Sequence, residues 1–112
     1  MNFEIVPTPH FERELKVLSK RYKSMKDDMK AFRESLQKMP LQGSDLGGGL
    51  RKIRMSIASK GKGKAGGARV ITYNVLAKEV GGKVYLLEIY DKSDFSTADV
   101  KVLRQYVEEI GL

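Results

Sequence analysis

Cysteine is absent from the 112 residues and histidine occurs once, at His10. The first absence excludes disulfides, thiolate metal sites and cysteine nucleophiles. A small fold without such staples must be held by packing or by a partner. Long apolar runs are also missing, so no membrane span is expected. The N-terminus, Met1-Asn2-Phe3-Glu4-Ile5-Val6, has an acid where a signal peptide wants basic residues. A cytoplasmic location is the expectation. The chain is too short for two domains, and residues 1–112 are read as one.

Acidic residues are lacking from one stretch in particular. Between Arg51 and Arg69 stand Arg51, Lys52, Arg54, Lys60, Lys62, Lys64 and Arg69, with no Asp or Glu among them. These are seven of 21 basic residues, and the other 14 balance all 14 acids. The whole net charge of +7 therefore falls within one sixth of the chain. A local basic surface on a neutral body points to a polyanion, nucleic acid first.

The hydropathy pattern predicts an α+β fold in the order β-α-α-β-β-β-α. Asn2 to Val6 alternates as a short strand, and Pro7-Thr8-Pro9 stops it, with Thr8 placed to cap a helix. Phe11, Leu15, Leu18 and Tyr22 form the apolar stripe of that helix, and Met25, Met29, Phe32 and Leu36 form that of a second. Ser24 with Asp27 resembles a capping box. The two helices make a hairpin, and Pro40 ends it before a flexible connector from Gly43 to Gly49. From Leu50 the period becomes two, with Ile53, Met55 and Ile57 opposite Lys52, Arg54 and Ser56. Arg69 to Leu76 and Val84 to Tyr90 follow as strands around a turn at Gly81-Gly82, giving a small antiparallel sheet. Ser96 with Asp99 suggests a cap for a last helix carrying Val100, Leu103, Val107 and Ile110, stopped at Gly111.

Gly61, Gly63 and Gly66 satisfy G-x-G-x-x-G, yet Ala68 to Leu76 reads as a strand where a dinucleotide site needs a helix. The amides of Gly66 and Gly67 remain candidates for a small anion nest. Lys52 and Arg54 leave one sheet face about 7 Å apart and can grip one phosphate. Arg69 opens the next strand, and Tyr90 and Lys92 end the third. Cleaving RNA requires deprotonating a 2′-hydroxyl, stabilising the phosphorane and protonating the 5′-oxygen, and cations meet the second need directly. A lysine crowded by cations can serve as base, and Lys52, between Arg51 and Arg54, is the candidate. Tyr90 and Tyr73 are further proton carriers or stacking residues, with Tyr73 read as core. Glu88 could be a base but is read rather as an ion-pair partner of Tyr90 and Lys92, and His10 is read as structural or solvent-facing. The carboxylates look scattered, so no metal site and no cofactor are expected. Metal-independent cleavage would leave a 2′,3′-cyclic phosphate and a 5′-hydroxyl.

The blocks Gly48-Gly49-Leu50-Arg51-Lys52-Ile53-Arg54, Ser59-Lys60-Gly61-Lys62-Gly63-Lys64-Ala65-Gly66-Gly67-Ala68-Arg69-Val70-Ile71 and Tyr85-Leu86-Leu87-Glu88-Ile89-Tyr90-Asp91-Lys92 resemble the HigB-type branch of the RelE/ParE toxin superfamily. The likeness covers almost the whole chain. It implies a helical hairpin on a small antiparallel sheet and the toxin of a type II toxin-antitoxin system. The activity implied is that of an mRNA interferase, an endoribonuclease acting in many members on message at the ribosome. It also implies an antitoxin partner, a helix-turn-helix DNA-binding protein. By position, the family's lysine pair falls on Lys52 and Arg54, its arginine on Arg69 and its later basic residue on Lys92. Its C-terminal tyrosine has no clear match, and Tyr90 is the substitute. Arg54 replaces a lysine, which moves proton transfer onto Lys52. Arg51, Lys60, Lys62 and Lys64 are left to hold RNA or ribosome. Two alternatives stay open: a ParE-like DNA gyrase inhibitor, and a non-catalytic RNA- or ribosome-binding module.

Overall fold

The computed structural model describes residues 3–77, 81–94 and 100–110. The described elements are β1 (Glu4–Pro7), α1 (Pro9–Arg21), α2 (Met25–Lys38), β2 (Ser44–Gly47), β3 (Leu50–Met55), a 3-10 turn at Ala58–Lys60, β4 (Ala68–Ala77), β5 (Gly81–Asp91) and α3 (Val100–Ile110). They form an α+β fold around one five-stranded sheet of order β1-β5-β4-β3-β2.

Two features differ from the expected small antiparallel sheet. β1 runs parallel to β5, with Glu4 opposite Lys83 and Pro7 opposite Leu86, so the sheet is mixed. The connector read as flexible contributes β2, antiparallel to β3 with Ser44 opposite Lys52. Gly48 and Gly49 close that hairpin at φ +60° and +88°. Both lie in the region a primed two-residue turn demands, where glycine carries no steric penalty. The expected turn at Gly81-Gly82 falls inside β5 instead. The capping pair Ser96 and Asp99 and the stop at Gly111 lie outside the described residues.

Helix boundaries follow their local chemistry. Thr8 Oγ1 accepts from the Phe11 amide at 3.3 Å and donates to the Leu86 carbonyl at 2.9 Å, which caps α1 and ties it to β5. Ser24 stands at the N-cap of α2 without a side-chain cap. Its hydroxyl donates to Asp28 at 2.6 Å and lies 2.9 Å from the Ser59 hydroxyl, so the expected capping box with Asp27 is not formed. Asp28 in turn accepts from the Ala58 amide, joining α2 to the 3-10 turn.

The sheet buries both faces, against different helices. Phe11 and Leu18 of α1 and Met25, Met29, Phe32 and Leu36 of α2 pack with Ile53, Met55, Ile57, Val70, Val84, Leu86 and Ile89. On the other face, Leu50, Ile71, Tyr85, Leu87 and Tyr90 form a second cluster with Leu103 of α3, and Tyr73, Tyr106 and Val107 lie against it. Alternation along β3 and β4 explains the division, since neighbouring residues point to opposite faces. The register shifts between Ile71 and Thr72, where Glu88 and Leu86 are the partners and Leu87 is the extra residue. Lys52 and Arg54 therefore share a face with Leu50, and α3 packs on the Leu50 end of that face.

Candidate functional site

On the α3 face, register fixes a row of Arg54, Arg69 and Tyr90 across β3, β4 and β5. The next row holds Ser44, Lys52, Ile71 and Glu88. Directly opposed residues have Cβ atoms about 5 Å apart. The two rows thus set Arg54 beside Arg69 and Lys52 one step along. Lys92 follows β5, its amide donating to the Gly67 carbonyl at 3.0 Å, and returns a fourth cation to the same side.

These side chains surround one hollow of about 220 Å³, lined by Ser44, Lys52, Arg54, Arg69 and Lys92. At about 30 Å³ per liquid water, that is room for several waters or one phosphodiester. The lining has four cations and no acid. Ser44 adds a hydroxyl that sequence reasoning missed, because its segment read as connector; pairing with Lys52 brings it here.

Arg69 is buried, and its guanidinium is held from behind. Nη1 donates to the carbonyls of Lys64 at 3.1 Å and Ala68 at 3.2 Å, and Nη2 to that of Ala65 at 3.0 Å. Burial, then the charge on Arg54, lowers its pKa, with Tyr90 opposing. Tyr90 lies in the same row but is 4% exposed and sits in the α3-side apolar cluster, beneath the hollow rather than on its lining. Burial, then Glu88, raises the Tyr90 pKa, so the phenol keeps its proton at neutral pH.

The remaining basic residues of the 51–69 stretch divide. Arg51 alternates to the opposite face from Lys52 and donates to the carbonyls of Gln42 at 2.9 Å and Gly43 at 3.0 Å. Lys52 therefore shares its sheet face with Arg54 and not with Arg51. Lys60 turns inward, with its side chain 12% exposed and Nζ donating to Asp91 at 2.6 Å and to Ser93 at 2.7 Å. Lys62 and Lys64 are exposed on the glycine loop. Among the described residues, Lys52, Arg54, Lys62 and Lys64 have no ion-pair partner.

The loop itself is built, not slack. Gly61 and Gly63 adopt φ of +73° and +62°. At Gly67, a Cβ would meet the Met55 carbonyl oxygen at 2.1 Å, so only glycine lets β4 start against β3. The Gly66 amide donates to the Lys62 carbonyl, which uses half of the anion nest expected there. A strand follows, as the rejection of a dinucleotide site requires.

Asp91, next to Tyr90 on β5, points to the opposite sheet face, toward α1. It is 1% exposed and accepts from Lys60, the Ser93 amide at 2.9 Å, Arg21 at 3.1 Å and the Tyr22 hydroxyl. Burial alone would raise its pKa, but the donors led by Lys60 and Tyr22 outweigh that and hold the carboxyl well below the usual range.

His10 and Glu88 lie off the hollow's lining. Among the described residues no ion pair joins Glu88 to Lys92; its carboxylate is gathered with His10 and Glu14 instead. No family model matches the sequence. No helix among the described residues is long and apolar enough to cross a membrane.

Proposed function

We propose that this chain is a RelE-like endoribonuclease of the HigB type, the toxin of a type II toxin-antitoxin pair. The observation that carries the reading is the convergence of Lys52, Arg54, Arg69 and Lys92 from three strands on one acid-free hollow. A rigid set of cations around a phosphate-sized space is what stabilising a phosphorane needs. Lys52 takes the proton of the RNA 2′-hydroxyl, whose oxygen then bonds to phosphorus. Arg54 and Arg69 hold the charge that accumulates on the phosphoryl oxygens. The bond to the 5′-oxygen breaks as Lys92 protonates it, leaving a 2′,3′-cyclic phosphate and a 5′-hydroxyl.

The exposed Lys62 and Lys64, on the loop that the Arg69 guanidinium grips, hold mRNA or ribosome. The natural inhibitor is a cognate antitoxin that covers the cationic face. The test is induction of the chain in bacteria, with mapping of new transcript 5′ ends and assay of DNA supercoiling. The wild type is expected to give cuts within translated messages. Lys52→Ala and Lys92→Ala should each lower cutting at least 100-fold with thermal unfolding unchanged, the range of a lost general acid or base. Growth arrest without cuts but with inhibited supercoiling would replace this reading with gyrase inhibition. Arrest unaffected by both substitutions would remove the hollow as the site.

A further inference from the structure

A second polar cluster lies where α1 crosses the edge of β5. The β1 pairing ends at Leu86, leaving the edge of β5 open beyond it. Glu14 Oε1 fills that gap by accepting from the Ile89 amide at 3.1 Å. One turn earlier on α1, His10 places Nε2 at 3.2 Å from the same oxygen. Glu88 completes the group from β5, and one donor atom from each residue lies within 4.8 Å of the others.

The grouping is not a satisfied ion pair. His10 Nε2 is buried and makes no hydrogen bond among the described residues, although it lies 3.2 Å from Glu14 Oε1. Neither carboxylate has a lysine or arginine within ion-pair distance among the described residues. Burial pushes the Glu14 pKa up to about 7 against the Ile89 hydrogen bond, with the charge of Glu88 adding to the rise and that of Arg13 opposing it. Burial raises Glu88 as well. Burial, then Arg13, lowers the His10 pKa, with Glu109 opposing. Two carboxylates and an imidazole nitrogen without a hydrogen bond thus face one another, with Arg13 nearby on the wall of the adjoining hollow.

We propose that His10, Glu14 and Glu88 bind one divalent transition-metal ion, Zn²⁺ foremost, through an imidazole nitrogen and two carboxylate oxygens. Residues at i and i+4 of a helix share one face, a spacing that supplies two ligands to zinc in other proteins. A mixed nitrogen and oxygen set suits zinc, whereas magnesium and calcium take oxygen alone. Ligands about 2.1 Å from a tetrahedral ion stand about 3.4 Å apart, so the donors need close by little more than an ångström. The His10 ring is already oriented by stacking on Tyr106, centroids 4.3 Å apart. A hollow of about 200 Å³ lined by Thr8, Arg13, Tyr106 and Glu109 adjoins the His10 side of the group, with Glu14 and Glu88 off its lining. The ion ties α1 to the open edge of β5 and, through Tyr106, to α3. This site is separate from the cationic hollow and does not depend on its function.

The full chain, treated with EDTA and dialysed, is titrated with Co²⁺ and then with Zn²⁺. The expected result is visible d–d absorption saturating at one equivalent of Co²⁺, displaced by one equivalent of Zn²⁺, with Zn²⁺ raising the melting temperature. His10→Gln and Glu88→Gln should each weaken binding at least tenfold while the metal-free circular dichroism stays that of the wild type. No saturable one-to-one transition would overturn the proposal. Unchanged affinity in either variant would overturn it equally.

Discussion

Asp91 shows how one side chain can hold several elements at once. Its oxygens gather Arg21 and Tyr22 from the end of α1, Lys60 from the 3-10 turn and the chain just before Asp94. Removing one member of a buried charge pair leaves the other uncompensated, at about 3 to 5 kcal/mol. Asp91→Asn is therefore expected to lower unfolding free energy by about 3 kcal/mol at pH 7, read from urea denaturation. The pH dependence has a definite sign. The folded carboxyl lies below the unfolded value of about 3.9, so its stabilisation is complete above that pH and fades as acid is added. The difference between wild type and variant should shrink below about pH 4. A constant difference down to pH 2 would mean that charge is not what Asp91 contributes. Lys60 shares in this network, which sequence could not reveal, since its place among exposed loop lysines gives no sign that it turns inward.

The glycine loop between β3 and β4 is the element on which the site depends. Arg69 clasps it through three carbonyls, a planar fork that a lysine ammonium cannot reproduce. Arg69→Lys keeps the charge and should free the loop, for a loss of about 1 to 2 kcal/mol of local stability. Limited trypsin digestion at Lys62 and Lys64 should then run about tenfold faster than in the wild type, without a matching fall in global stability. Equal digestion rates would show the loop to be held by its glycines alone. Much of the elements was legible beforehand because periodicity records burial directly. Phe11, Leu18, Met25, Met29, Phe32 and Leu36 are all buried where the stripes placed them. β2 was hidden because an edge strand with a single apolar residue, Leu46, carries too little alternation to read. The parallel pairing of β1 was hidden too, since strand direction is decided by long-range partners. His10 and Glu14 stood visibly at i and i+4, but nothing local showed that β5 would bring Glu88 to them.

At the scale of the whole molecule, the fold sorts charge. Of the seven basic residues from 51 to 69, Arg51, Lys60 and Arg69 are bonded inward, while Lys52, Arg54, Lys62 and Lys64 have no ion-pair partner among the described residues. Two helices bury one sheet face and α3 closes the Leu50 end of the other, so among the described residues the sheet surface that carries Lys52 and Arg54 is cationic. Sequence gave the sign and position of the charge excess; which cations remain open had to come from the fold. That count has a thermodynamic consequence. Each phosphate neutralised on a single strand contributes about −0.7 to the slope of log binding constant against log salt. Four to five open cations, with Lys92 included, predict a slope of about −3 for a short oligoribonucleotide, measured by fluorescence anisotropy. Lys62→Ala with Lys64→Ala should flatten it by about 1.4 and weaken affinity for all sequences alike, because loop lysines meet phosphates and not base edges. Lys60→Ala should leave the slope unchanged while lowering stability, since its charge already belongs to Asp91. A slope shallower than about −1 would mean that the open cations do not meet nucleic acid. A Lys60 effect as large as that of Lys64 would mean that the inward turn opens on binding.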